Sequence, residues 1–345
     1  ATKASRMVRA AEGRPISEFG SRRAQGADAA ILGARAAYIG GVGATACTIS
    51  DEYYNVPATG TMAHSWVQMF PDEYTAFKTY CEIYPENVTL LVDTYNVLES
   101  GIPNAIKAFR EILLPKGIKK CAIRLDSGDI TYLTTRARKM LDDAGFDYCK
   151  IVVSNSLDEH IIRDIIRQGA CVDAFGIGER LITAKSCPVF GGVYKLVAVE
   201  EEDGTVTPKI KISENPQKIT TPHFKKLYRL YNNENGKAEA DLICVHDEDI
   251  DDSKPIEIFD PHYTWKRKTL ENVTAVPLQQ HIFDKGRQVY SVPDIEESRR
   301  LCAAQLESMW KEVLRWENPH NYYVDLSESL WNIKDTLLRN MRNKS

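Results

Sequence analysis

From about residue 88 to about residue 190 the chain alternates short apolar runs with amphipathic stretches, at a repeat near the ~30 residues of a strand and its crossover helix. The clearest apolar runs lie in TLLVDTYN, KKCAIRLDSGD, CKIVVSNSLDE and VDAFGIGER, and each ends in polar or glycine residues. They predict buried strands with polar tips. PDEYTAFKTYCEIY opens on acidic residues and repeats its aromatics at helical spacing, while SLDEHIIRDIIRQG offers Ser156 and Glu159 as a capping box and closes on Gly169. Parallel α/β folds gather ligands at the carboxyl ends of their strands, so Asp93, Arg124, Asp126, Asn155 and Gly178 are expected around one mouth.

After Gly192 the period changes to two. VYKLVAVEEEDGTVTPKIKIS predicts a hairpin turning at Asp203 and Gly204, and KKLYRLYNNENGKAEADLICVHDE another at Asn235 and Gly236. From Pro293 onward DIEESRRLCAAQLESMWKEVLRW reads as a long amphipathic helix, with a shorter one near SLWNIKDTLLRNM. The expected organisation is therefore an α/β catalytic domain over residues 1–192, an antiparallel β-rich domain over 193–290, and C-terminal helices over 291–345 that pack on both. DEDIDDSK is expected to be a solvated loop.

Composition narrows the class. With 43% hydrophobic residues, 27% charged residues and a net charge of -4, the chain is ordinary for a globular protein and carries no electrostatic footprint for nucleic acid. Eight scattered cysteines without a C-x-x-C pair argue against a zinc site or a disulfide framework. No apolar run is long enough to cross a bilayer, and the N-terminal stretch lacks the apolar centre of a secretory signal. A cytoplasmic protein without membrane or nucleic-acid partners is expected.

The strand tips carry the candidate chemistry. RLDSGD sets Arg124 beside Asp126 and Asp129; with Asp93 and the Ser154-Asn155 pair it suits a polyhydroxylated, charged ligand, although Ser127 or Asp129 could equally cap the next helix. FGIGERLITA places Gly176 and Gly178 where backbone N–H groups could approach a phosphate, or where they only form a turn. IGGVGAT reads as a tight turn or a close helix contact, and no Walker A loop occurs. In EFGSRRAQG, Phe19 could stack on a flat ring and Arg22 could grip an anion, or the pair could be a core ring beside a surface cation. GTMAHSWV leaves room around His64, which could be packed, act as a base, or attack phosphorus.

In this order EFGSRRAQG, GTMAHSWV, LVDTYN, RLDSGD, SNSLDE and FGIGERLITA, followed by PVFGGVYKL and NPHNYYVDLSESLW, resemble the nicotinate phosphoribosyltransferase family over nearly the whole chain. The resemblance implies an irregular, TIM-like α/β barrel joined to a smaller antiparallel β domain. It implies formation of nicotinate mononucleotide and diphosphate from nicotinate and phosphoribosyl diphosphate, coupled to ATP hydrolysis, with Mg2+, in a homodimer. By it His64 is the histidine that ATP phosphorylates, Thr61 and Arg124 hold nicotinate, and Phe19 stacks on the pyridine. Arg22 reaches the phosphate groups, Asp93 and Asp126 lie near the ribose or the metal, and Gly176 and Gly178 lie against the 5'-phosphate; the metal ligands themselves stay unassigned. Family chains begin with a further N-terminal part that supplies an aromatic residue to the nicotinate site, so a separate N-terminal segment is an expected partner. Some relatives carry threonine where this chain has Glu179, which receives no binding role. A nicotinamide-specific phosphoribosyltransferase and a non-catalytic, nucleotide-binding fragment are the alternatives.

Overall fold

The computed structural model describes residues 1–215 and 218–342. It comprises two units, one formed by Ala1–Phe190 with Pro293–Ala303, the other by Gly191–Val292 with the chain from Ala304 onward. Residues 291–345, expected to form one helical part, are thus shared between the units, and the last three lie outside the described residues.

In the first unit, strands β1 (Ile16–Glu18), β2 (Ala44–Thr45), β3 (Val88–Leu91), β4 (Cys121–Leu125), β5 (Lys150–Asn155) and β6 (Ala174–Ile177) form one sheet in the order β2-β1-β6-β5-β4-β3. Every pairing is parallel. The sheet is a curled half-barrel with β2 and β3 as its edges. Leu90, Leu91, Ile123, Leu125, Ile151, Val153, Phe175 and Ile177 are each at most 1% exposed, the continuous burial expected of parallel strands covered on both faces. Register pairs Leu91 with Arg124, Ser154 with Gly176, and Glu18 with Ile177, so the polar strand tips emerge at one end.

The helices of this unit are α1 (Thr2–Ala10), α2 (Ala27–Ile39), α3 (Thr48–Tyr54), α4 (His64–Gln68), α5 (Glu73–Ile83), α6 (Ile102–Ala108), α7 (Ile130–Asp143), α8 (Glu159–Arg167) and α9 (Glu179–Ile182). Asp129 caps α7 by accepting from the Tyr132 N–H, the structural role foreseen for that aspartate. The capping box of α8 is not formed by Ser156. Leu157 is buried, the chain enters the helix later, and Asp158 accepts from the His160 and Ile161 N–H groups. Glu159 instead receives Lys3 Nζ at 2.6 Å and Arg6 Nε at 2.9 Å, tying α8 to α1.

Two glycines set close approaches. Gly40 precedes a Gly41 at φ +107°, and a Cβ on Gly40 would lie 2.6 Å from the Ala1 carbonyl oxygen, so IGGVGAT is both a turn and a contact. Gly101 ends a π turn, Val97–Gly101, that leads into α6; a Cβ there would lie 1.9 Å from the Val92 carbonyl oxygen. Only glycine lets that helix touch the backbone immediately before Asp93.

In the second unit both expected hairpins form: β7 (Ala198–Glu200) with β8 (Val206–Pro208), and β9 (Lys225–Asn232) with β10 (Ala238–Val245). Strands β11 (Ile256–Phe259) and β12 (Arg267–Leu270) pair with each other, as do the short β14 (Phe283–Asp284) and β15 (Arg287–Gln288). Strand β13 (Val273–Pro277) joins β9, and β16 (Tyr323–Leu326) joins β10 in parallel, so this sheet is mixed rather than purely antiparallel. Leu230, Ala240, Leu242, Cys244 and Ile258 form its core. Helix α10 (Ile295–Ser308) stops well before the end of its apolar pattern, and Lys237 Nζ donates to the Glu307 carbonyl of its last turn at 2.5 Å. Helix α11 (Glu328–Arg342) follows β16.

Candidate active site

The strand tips of the first unit surround a pocket of about 500 Å3. Phe19, Arg22, Thr61, His64, Arg124, Asp126, Ser154, Asn155, Gly176 and Gly178, ten of the eleven residues singled out from the sequence, line it. The eleventh, Asp93, lies behind the wall with its side chain 1% exposed.

Arg124 projects from β4 into the centre of this network. Its Nε donates to Ser154 Oγ at 2.8 Å, and Nη1 donates to Thr61 Oγ1 and to the Met62 carbonyl at 3.3 Å. Nη2 has only the Asp126 carboxylate, at 3.4 Å. Three of the five N–H donors are therefore fixed, while the two on Nη2 keep donor capacity. The guanidinium carbon lies 5.6 Å from the Phe19 ring centroid, a cation–π contact between two groups that line the same pocket.

Phe19 is seated there by absent side chains. A Cβ on Gly176 would lie 2.5 Å from the Phe19 ring, and one on Gly20 would lie 2.7 Å from the Gly178 carbonyl oxygen. The open space at Gly176, expected to admit a phosphate, is taken by the Phe19 ring; Gly178 still presents its backbone to the pocket. Arg22 and Arg23 follow on a single 3-10 turn, Ser21–Arg23, and among the described residues neither guanidinium has a hydrogen-bond or ion-pair partner.

His64 is the first residue of α4 and its side chain is 41% exposed, so it is not a packed core histidine. Nδ1 lies 3.1 Å from Thr94 Oγ1, and Nε2 faces Asp93 Oδ1 at 4.0 Å and Asp126 Oδ2 at 3.9 Å. These last separations are electrostatic contacts rather than hydrogen bonds. Asp93 Oδ2 accepts from the Asp126 N–H at 3.0 Å and from Ser127 Oγ at 2.6 Å, which locks the RLDSGD loop over β3. Asp93 Oδ1 is buried without a hydrogen-bond partner. A buried carboxylate oxygen left in this state needs a proton or a cation. Among the described residues no group of three or more His, Cys, Asp or Glu side chains is placed to hold a metal by itself.

Glu179 also lines the pocket, where Lys185 Nζ at 3.1 Å and the neighbouring Arg23 charge hold its carboxyl below the usual range. Sequence reasoning passed over Thr94 and Glu18, and weighed Ser127 only as a helix cap. Thr94 and Ser127 stood inside LVDTYN and RLDSGD, but their partners lie on other strands.

Residues 224–334 match the model of the nicotinate phosphoribosyltransferase C-terminal domain. The nicotinate phosphoribosyltransferase of Bacillus subtilis is 46% identical over 334 residues, covering 97% of this chain and 67% of that protein. The nicotinate phosphoribosyltransferase of Dictyostelium discoideum is 33% identical, covering 93% of this chain and 62% of its own length. The crystal structure of human nicotinic acid phosphoribosyltransferase superposes with a TM-score of 0.77 at 26% identity, over 98% of this chain and 73% of that one. The chain thus spans about two thirds of the length of the relatives it matches. The chain belongs to the nicotinate phosphoribosyltransferase family.

Proposed function

We propose that this chain carries the catalytic centre that joins nicotinate to the ribosyl carbon of phosphoribosyl diphosphate, releasing diphosphate and nicotinate mononucleotide. The observation that carries the reading is the pairing of Phe19 and Arg124 on the wall of one pocket that His64 and Asp126 also line. A flat aromatic acid fits this pairing, its ring on Phe19 and its carboxylate at the open Nη2 edge of Arg124. Nicotinamide offers no anion for that edge.

The pyridine nitrogen attacks the anomeric carbon as the diphosphate oxygen leaves, through a transition state with positive charge on the sugar. Asp126, with Asp93 behind it, favours that charge, while the unpaired Arg22 and Arg23 suit the phosphate groups. Holding both reactants in line supplies a large part of the rate. Mg2+ fits the partnerless Asp93 Oδ1 and the half-buried Asp126 carboxylate, hard oxygen donors of the kind it shares with water and substrate phosphates. Bound there it would offset the charge of the leaving diphosphate.

His64 is the group we assign to ATP coupling. Exposed at the start of α4 and facing two carboxylates, it can take a phosphoryl group that adds about -1.5 to -2 charge at the pocket wall. That charge opposes Asp93 and Asp126 and attracts the free arginines, so it biases the site between substrate-holding and product-releasing arrangements. We read the half-barrel as part of the irregular, TIM-like barrel of the family, and the active form as a cytoplasmic homodimer.

The experiment compares wild type with His64→Ala at saturating nicotinate and phosphoribosyl diphosphate, with and without ATP. ATP stimulates the wild type, whereas the variant keeps slow, ATP-independent transfer. A variant that ATP still stimulates fully would refute the assignment of His64.

A further inference from the structure

Glu18 is the least exposed carboxylate of the chain, with a relative exposure of 0%, and nothing in the proposed chemistry uses it. It ends β1, one residue before Phe19. One carboxylate oxygen accepts from the Gly20 N–H, and the other accepts from Thr45 Oγ1 at 2.6 Å. Thr45 Oγ1 in turn accepts from the Cys47 N–H at 3.0 Å. Backbone bonds run alongside, from the Ala46 N–H to the Glu18 carbonyl at 2.8 Å and from the Phe19 N–H to the Ile177 carbonyl at 2.8 Å.

Each of these partners leads to a pocket wall. Gly20 N–H fixes the peptide between Phe19 and the turn that carries Arg22 and Arg23, while Thr45 and Cys47 bracket Ala46, which also lines the pocket. Hydrogen bonds to a buried charge are short and strong, and they set the local backbone more firmly than neutral ones. Burial itself opposes this arrangement: it pushes the Glu18 carboxyl up, against the downward pull of Thr45 and Gly20. An apolar residue would fill the same strand position without that desolvation cost. The carboxylate is thus a poor choice for packing and a good one for clamping two loops.

We propose that Glu18 is a positioning residue that clamps the Phe19–Arg23 loop to the Thr45–Cys47 turn and so sets the aromatic slot for nicotinate. The inference rests on the proposed function for its substrate. Its backbone consequence does not.

Glu18→Gln is close in shape but can accept at only one of its two polar atoms, so either the Gly20 N–H or the Thr45 hydroxyl loses its acceptor. The test measures, on the same protein, hydrogen exchange at the amides of residues 19–24 without substrate and steady-state kinetics for nicotinate. Glu18→Gln should stay folded, exchange faster at those amides, and raise the nicotinate KM about 10-fold with kcat within about twofold, as expected when one charge-assisted hydrogen bond is lost. Thr45→Val, which removes the same donor from the other side, should shift exchange and KM in the same direction, with the double variant little worse than either. Unchanged exchange in a folded Glu18→Gln, or faster exchange with an unchanged KM, would overturn the proposal; should Glu18→Gln fail to fold, Thr45→Val decides by the same two readings. A wild type that does not turn nicotinate over would reject the proposed function, while the exchange reading would still stand or fall separately.

Discussion

Removing the Arg124 guanidinium leaves Thr61 Oγ1, Ser154 Oγ and the Asp126 carboxylate without their shared donor, and leaves a bound nicotinate carboxylate facing two acids. Arg124→Ala should raise the nicotinate KM by about 30- to 150-fold, the ~2–3 kcal/mol of a charge-assisted hydrogen bond, and Arg124→Lys should rescue little because an ammonium cannot reproduce the fork. Steady-state kinetics against nicotinate concentration check both. Glu18 gives a pH signature. Its folded carboxyl titrates above the unfolded one, so its relative stabilising contribution is full at low pH and is lost as pH rises through the folded value. Urea melts across pH 4 to 8 should therefore show wild type losing stability relative to Glu18→Gln as pH rises. Arg124, Asp126 and Asp93 were legible in the sequence because charged residues at buried strand ends have few structural uses. His64 was legible only as a candidate, since spacing cannot report that its ring stands half exposed between Thr94 and two carboxylates. Glu18 and Thr45 lie 27 positions apart, and no local pattern links them.

Strands β3 to β6 follow their apolar runs closely, because parallel burial leaves an unbroken hydrophobic signature. Helix ends were less legible: Asp158 rather than Ser156 caps α8, and the last turn of α10 gives its Glu307 carbonyl to Lys237, far away in sequence. The π turn before α6 had no sequence signal at all. It brings Gly101 against the Val92 carbonyl, one residue from Asp93. Gly101→Ala should therefore cost about 1–3 kcal/mol in urea unfolding through overpacking, and should also lower turnover by displacing Asp93. A destabilised variant with normal kinetics would separate that helix contact from the site.

Of the two units, the first carries the proposed chemistry and the second carries most of the family-model match. The change of hydrophobic period near Gly192 marked the division between them, because period two and a buried parallel strand impose different patterns. Pro293–Ala303 lies with the first unit, where Arg299 donates to the Val42 carbonyl at 2.5 Å and the Gly41 carbonyl at 3.0 Å. With no self-sufficient metal cluster among the described residues, the ion should bind weakly without phosphate ligands. Chelation by EDTA should abolish turnover, and added Mg2+ should restore it without refolding; full activity in EDTA would remove the metal from the scheme.

The central claim is transfer of the ribosyl group to nicotinate in the pocket that Phe19 and Arg124 line together. Mass-spectrometric quantification of mononucleotide formed from phosphoribosyl diphosphate, Mg2+ and ATP, with equal nicotinate and nicotinamide in one reaction, tests it most directly. The account predicts nicotinate mononucleotide in large excess, with that excess shrinking in Arg124→Ala. Nicotinamide mononucleotide as the main product, or no mononucleotide at all, would contradict it.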